Sequence, residues 1–443
     1  MELPIAWSFL GFQDFEIWIV IIGALACSSA GLIGCFLILR RMALMGDAIS
    51  HAVLPGIVIA VMITGEISSW PVLFGAGLVG VLTPYLVDSL KSTGRVYEDA
   101  SIGIVFTMLF SLGVILIANM GNVHLDVECV LYGEIATAPF DTWILASGQK
   151  LGPRAVWILG GVFLLNVAFI VLFFKELKVC TFDPGLAEAM GLHPKRIHYM
   201  LLGMVALTTV AAFESVGSII VVAMLIAPGA AAYLLTDRLG VMLLLSVGVG
   251  VLCSVLGFTM ASQMGGKISI AGSMATVAGL LFGVAFLFSP RYGVLVRFWR
   301  RFRLRRRLIR EHILGDLYRA LEKGQDWLSE NTLFGQREDD AGLQRKVANK
   351  LLHKGMILWE SGKLRLTPSG QAEAGSLVRA HRLWELYLEQ NLGIPADHVH
   401  RSADDIEHFL SPEIQAEIEK KLQYPDTDPH GKPIPKMMSR DES

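Results

Sequence analysis

Nine apolar runs, most of them close to twenty residues long, decide what this chain can fold into. A hydrocarbon core about 30 Å thick needs roughly 20 residues of α-helix to cross it. Runs near 17–39, 50–65, 70–90, 100–119, 155–175, 199–213, 217–235, 239–262 and 270–289 meet or approach that length. Hydrophobic residues make up 53% of the 443, more than a soluble core requires. The expected fold class is an all-α polytopic membrane protein of about nine transmembrane helices over residues 1–290, followed by an α-rich cytoplasmic module.

Charge supports the division. Residues 1–290 hold 12 of the 38 Lys and Arg, and the other 26 lie beyond. Within the apolar part, basic residues gather at alternate ends of the runs: Arg40 and Arg41, Lys91 and Arg95, Lys175 to Arg196, then Arg238 and Arg291. The opposite loops hold only Lys150, Arg154 and Lys267. By the positive-inside rule the N-terminus is outside and the C-terminus cytoplasmic in a multi-pass cell-membrane protein. No cleavable signal peptide is evident, since Glu2, Asp14 and Glu16 precede the first run in place of a basic region. The five cysteines form no CxxC pair, so neither a disulfide framework nor a zinc ribbon is indicated.

Residues 291–310 carry nine arginines interleaved with Phe298, Trp299, Phe302 and Leu304. Directly after a span, a basic stretch with aromatics suits an interfacial linker beside anionic membrane lipid, and a nucleic-acid arm is the competing reading. Residues 311–443 are soluble in character, with apolar residues at helical spacing and one hairpin signal, Ser361-Gly362 between two short alternating runs.

The segment GDAISHAVLPG at 46–56 sets Asp47 and His51 four residues apart at the start of the second span. On a helix they share a face, and ionisable groups at membrane depth are costly enough to imply function. Spacing leaves the alternative open, with Asp47 a cap and His51 a packing residue. Glu214, a lone acid at the outer end of span six, is a third candidate for a transport path.

That segment closely resembles a signature of the manganese/zinc/iron permease family of ABC importers. Two further stretches, FDPGLAEAMGL at 182–192 and the region from Ser215 to Ala231 containing APGAA, extend the similarity over roughly 15–290. The resemblance implies a metal-transporting permease subunit that is not itself an enzyme. No GxxxxGK[ST] phosphate loop occurs, so no nucleotide is bound and ATP hydrolysis falls to a separate ATP-binding subunit. Such permeases dock that subunit through the loop holding Asp183, Pro184, Ala187, Gly191 and Leu192; an ordinary surface helix is the alternative. The family also pairs two permease subunits, identical or paralogous, and receives metal from an extracytoplasmic binding protein. The loop residues His124, Asp126, Glu128 and Glu134 are candidates for meeting it, or simply a solvated acidic loop.

Seven of the eleven histidines lie beyond residue 310. His381 and Glu385 form one i, i+4 pair, while His400, Asp404 and His408 recur at four-residue intervals with Glu407 three residues after Asp404, so a helix over 402–410 would present carboxylates and imidazole along one face. Imidazole and carboxylate without thiolate suit manganese, ferrous iron or zinc, although a solvated helix of ordinary charge pairs has the same pattern. The motifs LTPSG at 366–370, RAHRLWE at 379–385, EHFLS at 407–411 and DPHGKPIP at 428–435 are similar to the diphtheria-toxin-repressor family of metal-dependent regulators, over roughly 311–436. That resemblance implies one metal site at His381, Glu385 and His400 and another at Asp404, Glu407 and His408, the latter completed by a residue near His312. The divalent metal would then be both substrate and regulatory ligand.

A winged-helix DNA reader is the weaker half of this resemblance. Arg345, Lys346, Asn349 and Lys350 fit a recognition helix and the Ser361-Gly362 hairpin a wing, but 330–340 is acidic without a clear helix-turn signature. From residue 311 onward there are 17 Lys and Arg against 23 Asp and Glu, a net of −6, where DNA binding calls for a basic footprint. The expected role is metal sensing that regulates transport; the alternative is a membrane-tethered or released metal-dependent transcriptional repressor, with DNA as partner.

Overall fold

The computed structural model describes residues 14–64, 69–119, 135–144, 150–265, 268–335, 341–395, 398–399 and 410–436. The chain forms two compact units, Met1–Arg297 and Phe298–Ser443.

The first unit is built from α1 (Asp14–Leu39), α2 (Ala43–Ala52), α3 (Leu54–Thr64), α4 (Ser69–Lys91) and α5 (Glu98–Ala118). A small hairpin of β1 (Thr142–Ile144) and β2 (Lys150–Pro153) follows, then α6 (Arg154–Leu172), α7 (Phe174–Phe182) and α8 (Pro184–Ala189). The set closes with α9 (Pro194–Val216), α10 (Ser218–Leu235), α11 (Leu239–Gln263) and α12 (Ile270–Phe288). Among the described residues, eight helical stretches are long and apolar enough to cross a membrane, and Ile220–Leu235 in α10 is a shorter apolar helix. Together they occupy the nine runs marked by composition.

The second stretch is not one continuous helix: α2 and α3 part at Val53. Pro55 has no N–H to offer the carbonyl of His51, which weakens the ladder at that turn. Helix α1 is buried for most of its length and packs against α11, α10, α6 and α9. Its glycines make this possible, because lipid is as apolar as leucine and membrane helices must associate through close backbone approach. A Cβ added at Gly34 would lie 1.7 Å from the Leu225 carbonyl oxygen on α10. Between α1, α6 and α9, Asn166 donates to Ser29 Oγ at 2.7 Å and to Thr208 Oγ1 at 2.8 Å, all three buried. Such a hydrogen bond fixes helix register where no water competes.

The second unit takes most of α13 (Val294–Glu322), a single helix that carries the arginine-rich stretch into the module. It continues through β3 (Leu328–Ser329), α14 (Glu330–Gly335) and α15 (Ala341–His353) to β4 (Ile357–Glu360) and β5 (Lys363–Leu366). The antiparallel sheet has the order β3-β5-β4, with Ile357 opposite Leu366 and Glu360 opposite Lys363. Ser361 and Gly362 both take positive φ, 50° and 74°, as a two-residue hairpin turn demands. Leu314, Ala348, Leu351, Ile357 and Leu364 close a core beneath this winged-helix arrangement. Helix α14 is a short helix inside the acidic stretch 330–340, where the sequence carries no clear helix-turn signature; residues 336–340 lie outside the described set. Beyond it, α16 (Pro368–Leu392), capped by Thr367, packs on α17 (Pro412–Lys421) through Leu383, Leu386, Ile418 and Leu422.

Candidate functional site

Helix α2 places Asp47 and His51 on one face, with His51 Nε2 3.5 Å from Asp47 Oδ1. They open on a cavity of about 530 Å3 whose other walls are apolar side chains of α10 and α12, among them Ala223, Ala227 and Phe282. The His51 ring also lies 5.8 Å from Phe106 and 6.1 Å from Phe110, both on α5. An imidazole and a carboxylate against an apolar wall can hold a cation through few bonds and let it leave. Glu214 belongs to the last turn of α9, next to Gly217 with φ 87°; its side chain lies outside the described residues. His124, Asp126, Glu128 and Glu134 also lie outside them.

On α8 the folding logic is local. Asp183 caps the helix, its Oδ1 accepting from Leu186 N at 2.9 Å, Pro184 occupies the first turn, and Ala187 is buried beneath it. Gly191, at φ 78°, turns the chain so that Leu192 N returns to the Ala187 carbonyl at 2.9 Å. The stretch from the end of α7 through α8 therefore presents Phe182, Leu186 and Met190 to the outside as exposed apolar side chains.

Close by in the fold is a charged cluster that sequence spacing does not reveal. Arg40 Nε donates to Thr181 Oγ1 at 3.1 Å, an Arg40 guanidinium nitrogen lies 3.4 Å from His198 Nδ1, and His198 Nε2 lies 3.3 Å from Asp88 Oδ2. These residues tie the ends of α1, α4, α7 and α9 together at the base of the α8 loop. Burial lowers the pKa of the Arg40 guanidinium from its ordinary value, which makes its bonds to neighbours more valuable than a solvated arginine's. Its only sequence signal is the presence of three ionisable residues at three separate helix ends.

In the second unit α16 holds His381 and Glu385 one turn apart, both buried, with His381 Nε2 2.9 Å from Glu385 Oε1. Asp428 and His430 come to the same place, and ligand atoms of Glu385, Asp428 and His430 lie within 4.8 Å of one another. The motif at 428–435 thus contributes side chains to this region as well as carrying a resemblance. Asp428 Oδ1 accepts from the backbone N–H of His430 and of Lys432, at 2.9 and 2.8 Å, which fixes the loop. Arg382 lies beside it: it makes two hydrogen bonds to Glu322, at 2.9 and 2.6 Å, and its Nε is 3.4 Å from Asp428 Oδ2. His381, Glu385 and Asp428 line a cavity of about 240 Å3 together with Arg319, Arg382 and Lys432; the imidazole and carboxylates are donors of the kind a hard or borderline divalent cation takes. His400, Asp404, Glu407 and His408, with the helix expected over 402–410, lie outside the described residues. His312 is half-buried on α13.

The residues read as DNA-contacting divide on α15. Arg345 pairs with Glu330 of α14, and Asn349 uses its backbone carbonyl to bond His353 Nδ1 at 2.7 Å. Lys346 and Lys350 lie on the adjoining stripe and line a groove with α13.

Comparison with known families matches residues 13–289 to the ABC 3 transport family. Residues 367–436 match the iron dependent repressor metal binding and dimerisation domain. A manganese transport system membrane protein of Bacillus subtilis is 49% identical over 286 residues, 64% of this chain and 96% of the relative. A zinc transport system membrane protein of Treponema pallidum is 38% identical over 365 residues, 80% of this chain and 96% of the relative. Among solved structures, PsaBC from Streptococcus pneumoniae in complex with Fab aligns with TM-score 0.54 and 33% identity, covering 65% of this chain and 96% of that one. With the family matched over more than half its length, and a metal-binding repressor domain joined to it, this chain belongs to the ABC 3 transport family.

Proposed function

We propose that the chain is the permease subunit of an ATP-driven importer of a divalent transition metal, with a C-terminal module that senses the same class of ion and regulates transport. The observation that carries this reading is the joining, in one chain, of an ABC 3 transport domain to a metal-binding repressor domain. In this reading residues 1–290 form the transmembrane domain, 291–310 the basic linker beside membrane lipid, and 311–443 the cytoplasmic module, the N-terminus lying outside. Asp47 and His51, with Glu214, carry the ion. Two donors opening on an apolar cavity favour brief occupancy, whereas a full ligand shell would trap a cation.

Energy comes from an ATP-binding subunit docked on Asp183, Pro184, Ala187, Gly191 and Leu192, where α8 presents its apolar side chains. A second permease subunit, identical or paralogous, and an extracytoplasmic metal-binding protein complete the system. Manganese is the first candidate substrate because the 49% identical relative is a manganese transport protein; zinc follows from the Treponema relative, and ferrous iron is compatible with the same donors. In the module, His381, Glu385 and His400 hold one ion and Asp404, Glu407 and His408 another. Sensing then requires that metal favour one permease state over the other.

The test is uptake of radiolabelled manganese, zinc and iron by proteoliposomes holding the chain and its ATP-binding subunit, with metal varied on the ATP side. ATP-dependent uptake of one ion, declining as that ion accumulates on the ATP side, is expected. ATP-independent leakage of all three ions sinks the permease reading. If truncation after Arg310 leaves the inhibition unchanged, the sensing reading is lost. Helices α14 and α15 and the hairpin of β4 and β5 favour one second reading, a tethered repressor contacting DNA through Arg345, Lys346, Asn349 and Lys350. It requires metal-dependent, salt-sensitive binding of a promoter fragment by the full chain.

A further inference from the structure

Two basic stripes in the second unit face one another. On α13, Arg303, Arg306 and Arg310 follow Trp299 and Phe302 at helical spacing, and on α15, Lys346 and Lys350 are continued by Lys354 just past the helix end. They form the walls of a groove of about 490 Å3, with Val347 and Leu351 among its apolar lining. The charge is largely uncompensated. Arg307 is held by Glu311 at 2.8 Å and Arg310 lies 3.3 Å from Glu373. Among the described residues no carboxylate reaches ion-pair distance of Arg303, Arg306, Lys346, Lys350 or Lys354. Five such cations gathered on two facing stripes repel one another and attract phosphate.

The aromatics identify which phosphate. Trp299 is 68% exposed and Phe298 64%, and the Arg306 guanidinium lies 4.2 Å from the centre of the Phe302 ring. Exposed aromatic rings beside arginines suit the boundary between headgroup and acyl chain. Five residues, 289–293, join the last apolar helix, α12, to α13, so the stripe that forms the groove's first wall follows a membrane-length helix closely along the chain. DNA is the poorer occupant: a duplex offers no acyl boundary for the exposed rings, and Arg345, on the neighbouring stripe of α15, is already engaged by Glu330.

We propose that this groove binds the headgroups of anionic phospholipid, so that Lys346 and Lys350 of the winged helix serve as membrane contacts. The inference goes beyond the transport reading and does not depend on which metal is carried. It gives the basic stripe of α15 a use in a protein anchored in a membrane: holding the sensing module against the bilayer.

The test acylates lysines of the full chain in nanodiscs of phosphatidylcholine alone or mixed with phosphatidylglycerol, and reads each site by mass spectrometry. Lys363 on β5, exposed and outside the groove, is the internal reference. Modification of Lys346, Lys350 and Lys354 relative to Lys363 is expected to slow about fivefold in the anionic discs and to recover in high salt. The double variant Arg303→Gln/Arg306→Gln should restore much of the lysine reactivity. Equal rates in the two discs overturn the proposal, and the wild-type comparison decides this without any variant. Protection that appears only when duplex DNA is added also overturns it and assigns the groove to nucleic acid.

Discussion

Each half of the molecule holds an imidazole and a carboxylate one helical turn apart, and their surroundings differ in every other respect. Asp47 and His51 are 3.5 Å apart, 48% and 23% exposed, on an apolar cavity. His381 and Glu385 are 2.9 Å apart, 10% and 2% exposed, with Arg382 and Asp428 beside them. Identical spacing therefore says little about task. A loose pair against apolar walls suits passage, because few ligands hold a cation only briefly. A buried pair hydrogen-bonded to each other suits retention, since preorganised ligands lose little freedom on binding.

The comparison breaks first in uptake. Asp47→Asn or His51→Ala should reduce ATP-driven metal uptake by about 100-fold, at the upper end of what ligand-shell changes cost, while metal binding by the module stays as it was. Uptake within twofold of wild type, at equal protein in the membrane, would remove the pair from the path. The reciprocal variant, Glu385→Gln, should weaken metal binding by the module about 10- to 100-fold and leave uptake at limiting metal intact. Isothermal titration of the full chain, together with loss of inhibition at high metal, reads the effect. Chelation should reproduce it: wild type loses about 2.7 kcal/mol of module stability when metal is removed from 100 times its dissociation constant, and the variant loses much less.

Legibility in the sequence followed distance along the chain. Apolar runs, the Ser361-Gly362 hairpin and the α16 motif are local patterns, and the corresponding helices and strands are present. The break at Val53 depends on Pro55, visible in the sequence yet easily overridden by a long apolar average. Helix α14 is hard to read in the sequence because acidic residues at 330 and 338–340 surround a six-residue helix whose Leu333 and Phe334 are buried. The Arg40, His198 and Asp88 cluster and the approach of Asp428 and His430 to Glu385 are juxtapositions across more than 40 residues, and no periodicity encodes them. For the candidate site, therefore, the near partners were readable and the distant ones were not.

A smaller effect separates how the two halves are held together. In the module, Arg382 is buried between Glu322 and Asp428 and donates to the Pro433 carbonyl at 2.5 Å. Replacing it by Met leaves Asp428 buried without its cation, a loss of about 3 kcal/mol, seen as an earlier module transition in thermal unfolding. The membrane half has no counterpart at Asp47 and His51; its integrity rests on contacts such as Gly34 against α10. Gly34→Ala should cost about 2 kcal/mol through overpacking and move the membrane-half transition alone. If both variants shift a single common transition, the two units unfold as one.

The smallest expected effect concerns helix ends. Several apolar helices, including α2, α5, α6 and α11, have no side-chain cap, whereas α16 and α17 begin at Thr367 and Ser411, whose hydroxyls accept from the helix. Ser411 also hydrogen-bonds the Glu413 carboxylate and holds its pKa below the ordinary glutamate value near 4.5. A depressed carboxyl stabilises the folded state above that ordinary value and ceases to do so as pH falls through the lower folded value. Ser411→Ala should cost about 1 kcal/mol through the lost cap, and the Glu413 pKa should return upward, followed by NMR titration of the side-chain carboxyl. Because Glu413 is fully exposed, salt should erase most of its share while leaving the cap's contribution in place. A Glu413 pKa unmoved by the substitution would assign its depression to the N-terminus of α17 instead of to the hydroxyl.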